Sequence, residues 1–283
     1  MKKFIAIALA CLMMMGMLAG CAGSSNDLGL CEDGKLIMAT NAAFPPYEYK
    51  EGNSFKGIDV EIAEAIAKKL GLELVIEDVE FGAVLSGVSE GKYDVGLAGI
   101  TVTEDRKKTM DFSDTYATGI QVIIVNDGSS IASLDDLFIF NDDGDPTGLK
   151  NESIRVGVQE NTTGDIYSSS AVSSWGFNDL NDDESIKTDR VVRFKTGADA
   201  VAALKAGNVD CVIIDNEPAK SFVEVNEGIH ILDGDNEYAV EDYAICVKKG
   251  NSELLSKINA ALAELKADGT IDGIIEKYIP SKG

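Results

Sequence analysis

Arg106 stands in "GITVTEDRKKTMDFSDTY", residues 99–116, in the first turn of a segment that reads as a helix. The helix start is marked by Thr101 with Glu104, spaced as a capping box, or by Thr103 with Glu104 and Asp105 behind it. A cation at that end opposes the helix dipole. Its planar fork of donors, beside free backbone N–H groups, suits a carboxylate that arrives with a ligand. A surface Arg balanced by Asp105 or Asp111 is the competing reading. Asp215 closes the apolar run "VDCVIID" just before Asn216-Glu217-Pro218. It suits an ammonium group, and an ordinary helix N-cap is its alternative. "VQENTTGDIY" offers the hydroxyls of Thr162 and Thr163 and free N–H groups at Gly164, either as an anion site or as a plain turn and cap. It lacks the glycine spacing and Lys of a phosphate loop. Phe44 in "NAAFPPYEY" and Phe81 in "VEFGA" fall in loops, as walls for a ligand or as cover for the core. An anion fork, an ammonium partner and aromatic walls together describe the α-amino acid zwitterion.

The elements that must position these residues alternate from Lys35 onward. "KLIMAT" reads as a strand, and "YEYKEGNSFKGI" as a hairpin around Glu51-Gly52-Asn53. Asp59 then caps "VEIAEAIAKKLG", whose apolar face runs from Val60 to Leu70 and ends at Gly71. "LELVIEDV", the short helix "AVLSGVSEG" and the doubly buried strand "YDVGLAGIT" follow, an order that implies a parallel sheet covered by helices. After residue 118 the pattern restarts, with strands at "GIQVIIV", "IRVGVQ", "RVVRFKT", "VDCVIID" and "IHILD", helices between them, and a terminal amphipathic helix "SELLSKINAALAELKADG". "FNDDGDPTGLKNES" reads as an exposed insertion loop. "AVLSGVSEGKYDVGLAGIT" and "AVAALKAGNVDCVIIDNE" share one design: a small apolar helix, Gly, two residues, Asp, then an apolar strand. Ligands of open α/β sheets bind beyond the carboxyl ends of the strands, so two facing lobes would bring two such edges together. Any two α/β units also look alike at this level.

The chain has 283 residues, 45% of them hydrophobic, which fits packed α/β lobes rather than a disordered chain. It begins "MKKFIAIALACLMMMGMLAGC", with Lys2 and Lys3, an uncharged apolar run and small residues, so residues 1–20 read as an export signal. The ending "LAGC" resembles a lipobox, with Cys21 the lipidated residue and 21–34 a flexible tether. Without residues 1–20 the net charge falls from −23 to −25, because two Lys and no acid are removed. Such a charge excludes nucleic acid and broad adhesion to anionic lipid. Cys31, Cys211 and Cys246 are odd in number and without metal-ligand spacing, and the last two read as buried free thiols. His230, the single His, lies in a strand and is no base; Trp175 has no functional role, and Lys68-Lys69 and Lys107-Lys108 read as solvated faces.

In combination, "ATNAAFPPYEY", "GIDVEIAEAIAKKLG", "GITVTEDRKKTMDFSDTY", "VGVQENTTG" and "VDCVIIDNEPA" resemble the extracytoplasmic solute-binding proteins of ABC transporters for polar amino acids, over about residues 35–278. The resemblance implies a two-lobed periplasmic-binding-protein-like α/β fold, with two mixed sheets flanked by helices. Residues 35–118 with 242–283 would form lobe 1 and 119–241 lobe 2. The chain would cross between them near 117–119 and 237–242. The resemblance further implies that Arg106 holds the ligand carboxylate, helped by Thr101 and by the amides and hydroxyls near Thr162 and Thr163. Asp215 and the Gly99 carbonyl would take the ammonium, Phe44 and Phe81 would sandwich the side chain, and Asn41 and Gln159 would reach its far end. Gly is common in the family where Asn161 stands, and an acidic residue where Asn41 stands; losing that acid weakens the case for a strongly basic ligand such as lysine or arginine. The insertion at about 139–152 is longer than usual. The expected protein is a monomeric, lipid-anchored receptor that captures an L-amino acid and delivers it to a permease, with no cofactor, metal or catalytic residue. The rivals are an enzyme on the same scaffold, of dehydratase or cell-wall lyase type, and an amino acid sensor module.

Overall fold

A computed structural model of the chain describes residues 28–232 and 240–280. The expected export signal, Cys21 and tether residues 21–27 lie outside the described residues.

The first sheet has the strand order Glu73–Asp78, Lys35–Thr40, Val95–Gly96, Cys246–Lys248, Met110–Phe112. The first three run parallel, and Cys246–Lys248 is antiparallel to both its neighbours. The helix Phe81–Glu90 packs on the sheet's central strands, and the helix Ile58–Leu70 buries Ile58, Ile62 and Ile66 in one core with Leu254, Ile258 and Leu262 of the helix Ser252–Ala267. Gly71 ends the helix Ile58–Leu70 in the left-handed region, φ 69°, donating to the carbonyls of Ala67 and Lys68. Asp59, expected to cap that helix, does not. Gly57 holds the cap position, and Asp59 is buried as the second residue of the helix, on the apolar stripe with Ile62 and Ile66.

The second sheet has the order Val191–Phe194, Val156–Gln159, Cys211–Asp215, Ala117–Asn126, Ile229–Ile231. Again three strands run parallel and the rest antiparallel. Every residue of "VGVQ" and "CVIID" is buried, as a parallel strand with both faces covered requires. The long strand Ala117–Asn126 also pairs through its first four residues with Val240–Tyr243, in the register Ala117↔Tyr243 to Ile120↔Val240. The two connections between the lobes therefore lie side by side as one antiparallel ribbon. Residues 237–239 of the expected second crossing lie outside the described residues.

Several local expectations are corrected. The insertion is not a plain loop: Phe138–Phe140 and Pro146–Leu149 form a hairpin, with Phe138 and Leu149 buried. Trp175 packs edge-on to Phe138 at 5.7 Å between ring centroids, which accounts for it as cover for that hairpin. A second small hairpin, Asp179–Leu180 with Ile186–Thr188, was not expected. The strand "YDVGLAGIT" shrinks to Val95–Gly96, because the chain turns at Gly99 with φ 54°. Residues 28–34, expected to belong to a flexible tether, are fastened to the first lobe. Asn251 Nδ2 donates to the Leu28 carbonyl, Cys31 N to Asp94, and Leu30 packs on the core. Cys211 and Cys246 are buried free thiols and Cys31 is an exposed one. Among the described residues no helix is long and apolar enough to cross a membrane.

Candidate functional site

The loops beyond the strand ends of both sheets meet at one narrow, largely closed cavity. All ten residues expected to bind ligand line it: Asn41, Phe44, Phe81, Gly99, Thr101 and Arg106 from the first lobe, Gln159, Thr162, Thr163 and Asp215 from the second. Glu48 and Ala98 line it as well.

Arg106 stands three residues after the Thr103 cap, and burial rather than helix propensity explains it. Thr103 Oγ1 accepts from Arg106 N and starts the helix Glu104–Lys107, which settles the choice of cap. The Arg106 side chain is only 7% exposed. Its guanidinium donates to the Thr101 carbonyl at 2.8 Å and, across the cleft, to the Asn161 carbonyl at 3.1 Å, and it lies 5.4 Å from the centre of the Phe81 ring. The acids once set against it are engaged elsewhere, Asp105 with Lys108 and Asp111 with Lys249. Burial pulls its pKa down, and the charges of Glu241 and Asp215 oppose that. Asn161 takes φ 67°, which glycine adopts freely and Asn tolerates.

Asp215 occupies the N-cap position of the helix Asn216–Val225, yet its side chain does not cap it. The carboxyl instead accepts from the Tyr243 hydroxyl of the connecting ribbon. Burial, and then the nearby charge of Glu241, push its pKa up to about 7, against the hydrogen bonds from Tyr243 and Gln121. Gly99 is held from behind. Its N–H donates to Asp59 Oδ2 at 2.9 Å, and a side chain in its place would meet Phe44 at 2.8 Å, so glycine is required there. Phe44 and Phe81 are in a two-residue strand and at a helix start rather than in loops. Both serve the core and the cavity at once. Thr162 likewise does double duty: its hydroxyl caps the helix Thr163–Ser169 by accepting from Asp165 N, and donates to the Gln159 carbonyl. At the far end Gln159 Nε2 donates to Asn41 Oδ1 across the cleft at 2.9 Å, and Asn41 Nδ2 donates to the Val79 carbonyl.

Three buried acids at or behind the site are not among the residues expected there. Asp59 accepts from Gly99 N and from the Tyr116 hydroxyl at 2.8 Å, and burial lifts its pKa to about 6. An acid on an apolar helical stripe was the available signal. Glu48 is fully buried beside Asp59, and burial holds its pKa well above the carboxylate range. Glu241, on the ribbon, accepts from Thr101, Thr163 and Gln121. Its neighbour Val240 is exposed while Glu241 is buried, so the polarity of that strand gives the opposite impression. His230 pairs with Asp127 and is not among the residues lining the cavity. Among the described residues no group of three or more His, Cys, Asp or Glu could hold a metal.

Residues 36–281 match the family described as bacterial extracellular solute-binding proteins, family 3. The chain belongs to this family. It is 32% identical to the arginine-binding extracellular protein ArtP of Bacillus subtilis (strain 168) over 281 residues, 98% of each chain. Among solved structures, an ancestral arginine-binding protein bound to glutamine is 37% identical, with a TM-score of 0.73 over 88% of this chain and all of that one. The ancestral amino acid-binding protein AncCDT-1, a precursor of cyclohexadienyl dehydratase, is 26% identical, with a TM-score of 0.70 over 87% of this chain and 95% of that one. The two mixed sheets flanked by helices are the periplasmic-binding-protein fold of these relatives.

Proposed function

We propose that this protein captures a polar L-amino acid between its lobes and delivers it to the permease of an ABC transporter, working as a monomer held at the membrane by lipid on Cys21. The observation that carries the reading is the pairing of a buried Arg106 and a buried Asp215 at one cavity walled by Phe44 and Phe81. Their charges are opposite, as are those of an amino acid's two ends, and both are shielded from water, where charge-assisted hydrogen bonds are strongest. Arg106, supported by the N–H groups at Thr162 and Thr163, takes the carboxylate; Asp215 and the Gly99 carbonyl take the ammonium. The Asn41–Gln159 amide pair offers the ligand side chain both a donor and an acceptor, which suits a polar rather than an aliphatic group. A ligand that touches both lobes favours the closed arrangement of the ribbon, and that shape is what a permease reads.

A thermal-shift panel of the twenty L-amino acids, with D-enantiomers as controls, tests this. A stereospecific rise in melting temperature without turnover is expected. The second reading, an enzyme of dehydratase type, draws on Asp215, whose pKa near 7 would let it give up a proton at neutral pH. Appearance of product from any ligand that raises the melting temperature would favour it. For the anchor, Cys21→Ala should release the protein from membranes or leave it unprocessed, and unchanged lipid labelling would refute that role.

A further inference from the structure

We propose that Glu241 is a positioning residue that fixes the direction of the cleft hydroxyls, making them acceptors for the ligand's ammonium only once the lobes meet. The inference rests on the amino acid-binding reading above. Glu241 is 2% exposed and belongs to the connecting strand Val240–Tyr243. Its Oε2 accepts from Thr101 Oγ1 of the first lobe at 2.8 Å and from Thr163 Oγ1 of the second at 2.9 Å. Gln121 Nε2 donates to the same oxygen and to Thr163 Oγ1, at 3.3 Å in each case.

A hydroxyl has one proton to give. With that proton committed to Glu241, Thr101 and Thr163 turn only lone pairs to the cavity they line. Lone pairs attract an ammonium and repel a carboxylate. The hydroxyls of Thr101 and Thr163 therefore belong with Asp215 and the Gly99 carbonyl at the ammonium end, rather than with the carboxylate, where the resemblance had put them; Thr163 serves the carboxylate through its backbone N–H alone. One carboxylate oxygen serves hydroxyls from both lobes, so the full arrangement exists only in the closed cleft. Closure and selection for an amine are thereby one event.

The test compares two ligands that differ in a single group. The amino acid giving the largest melting shift with the wild type is measured by calorimetry beside the α-hydroxy acid carrying the same side chain. The hydroxy acid has one proton where the ammonium has three, so it must set its own lone pairs against those of Thr101. In Glu241→Met the Thr hydroxyls are released and can turn their protons inward. The amine-to-hydroxyl affinity ratio should then fall by about tenfold, the worth of one hydrogen bond exchanged for a repulsion. Glu241→Gln keeps an oxygen in the place of Oε2 and should hold the ratio within about threefold of the wild type. A purely structural role would weaken both ligands alike and leave the ratio unmoved, which overturns the proposal. It is overturned equally if Glu241→Gln loses the ratio as far as Glu241→Met, since charge rather than hydroxyl direction would then be the cause. Should Glu241→Met not fold, Thr101→Val decides: an acceptor lost narrows the ratio, whereas a donor lost from the carboxylate weakens both ligands equally. If none of the twenty amino acids shifts the wild type, the functional reading itself fails, a result distinct from binding with an unmoved ratio.

Discussion

The segments around residues 81–101 and 197–217 run alike until their strands end. Each begins with a small apolar helix, Phe81–Glu90 or Gly197–Lys205, followed by a left-handed glycine, Gly91 with φ 79° or Gly207 with φ 71°. Three residues later comes an aspartate, Asp94 or Asp210. Asp94 Oδ2 accepts from Ile37 N and Asp210 Oδ2 from Arg155 N, both at 2.7 Å. In return Asp94 N donates to the Ile37 carbonyl and Asp210 N to the Arg155 carbonyl. The aspartate thus locks each new strand to its parallel neighbour, so the echo extends to individual hydrogen bonds. Beyond the lock the segments part. The first stops after Val95–Gly96 and turns at Gly99 to offer a backbone carbonyl; the second runs to Asp215 and offers a carboxyl. A carbonyl accepts at any pH, whereas a carboxyl carries charge and titrates. One scaffold can therefore supply both kinds of acceptor because the lock, not the loop after it, holds the strand.

The largest effect should come from the residue that neither repeat supplies. Arg106→Ala removes the only cation among the residues lining the cavity and leaves a buried carboxylate unpaired, at a cost of about 3–5 kcal/mol of binding. Arg106→Lys keeps the charge but loses the fork, and should weaken binding sharply without unfolding the protein. Calorimetry with the best ligand from the panel measures both. Wild-type affinity in Arg106→Ala would show that the carboxylate binds elsewhere.

Asp215→Asn converts the second segment's acceptor to a neutral one like the first's, and should cost about 2–5 kcal/mol. The two acceptors should also differ in their response to pH. With a pKa near 7, Asp215 must shed a proton before it can pair with an ammonium. Affinity should therefore be constant above about pH 7 and fall up to tenfold per unit below it. Proton release, read from binding enthalpies in two buffers, should vanish in Asp215→Asn. A flat profile in the wild type would mean that the Gly99 side of the site dominates ammonium recognition.

Behind Gly99 the first segment depends on Asp59, and here the pH effect acts on stability. The folded-state pKa of about 6 lies above the unfolded value of about 3.9, so the folded form holds the proton more tightly. The contribution of Asp59 to stability is therefore greatest below pH 4, declines as pH rises from about 4 to 6, and levels off above. Glu48, shifted in the same direction, continues the decline to higher pH. In Asp59→Asn the amide oxygen can still accept from Gly99 and Tyr116. Relative to that variant the wild type should lose about 2–3 kcal/mol between pH 4 and 7, measured by urea unfolding. Parallel curves for the two proteins would show that Asp59 is charged in both states.

What could be read in advance follows from how each residue interacts. Continuous apolar runs bounded by glycine marked the buried strands, and Arg106 and Asp215 were visible because each is a charge where local structure does not need one. Phe81 reads as a loop residue because only one apolar residue announces the helix start, and the packing that holds it there comes from distant strands. The insertion looked like a loop because the polar turn 141–145 outweighed Phe138 and Leu149 on either side. Glu241 is invisible for a different reason. Its partners lie far along the chain, up to 140 residues away for Thr101, and no local period encodes such a contact.

The smallest effect separates the two locks themselves. Asp94 is buried and serves two donors, Cys31 N on Oδ1 and Ile37 N on Oδ2, both at 2.7 Å. Asp210 is exposed and serves Arg155 N alone. An asparagine has a single acceptor oxygen, so at position 94 its amide nitrogen must face one of the two N–H groups, donor against donor. Asp94→Asn should therefore lose about 2–3 kcal/mol of stability, the cost of a buried donor left unpaired. Asp210→Asn can turn its oxygen to Arg155 and its nitrogen to water, losing about 0.5–1 kcal/mol. Neither residue lines the cavity, so ligand affinity measured well below the melting temperature should match the wild type in both. Equal losses would mean that the Cys31 contact contributes nothing and that the two locks are energetically the same. A change in affinity in either variant would show that strand register reaches the binding loops, and the scaffold and its loops would no longer be separable.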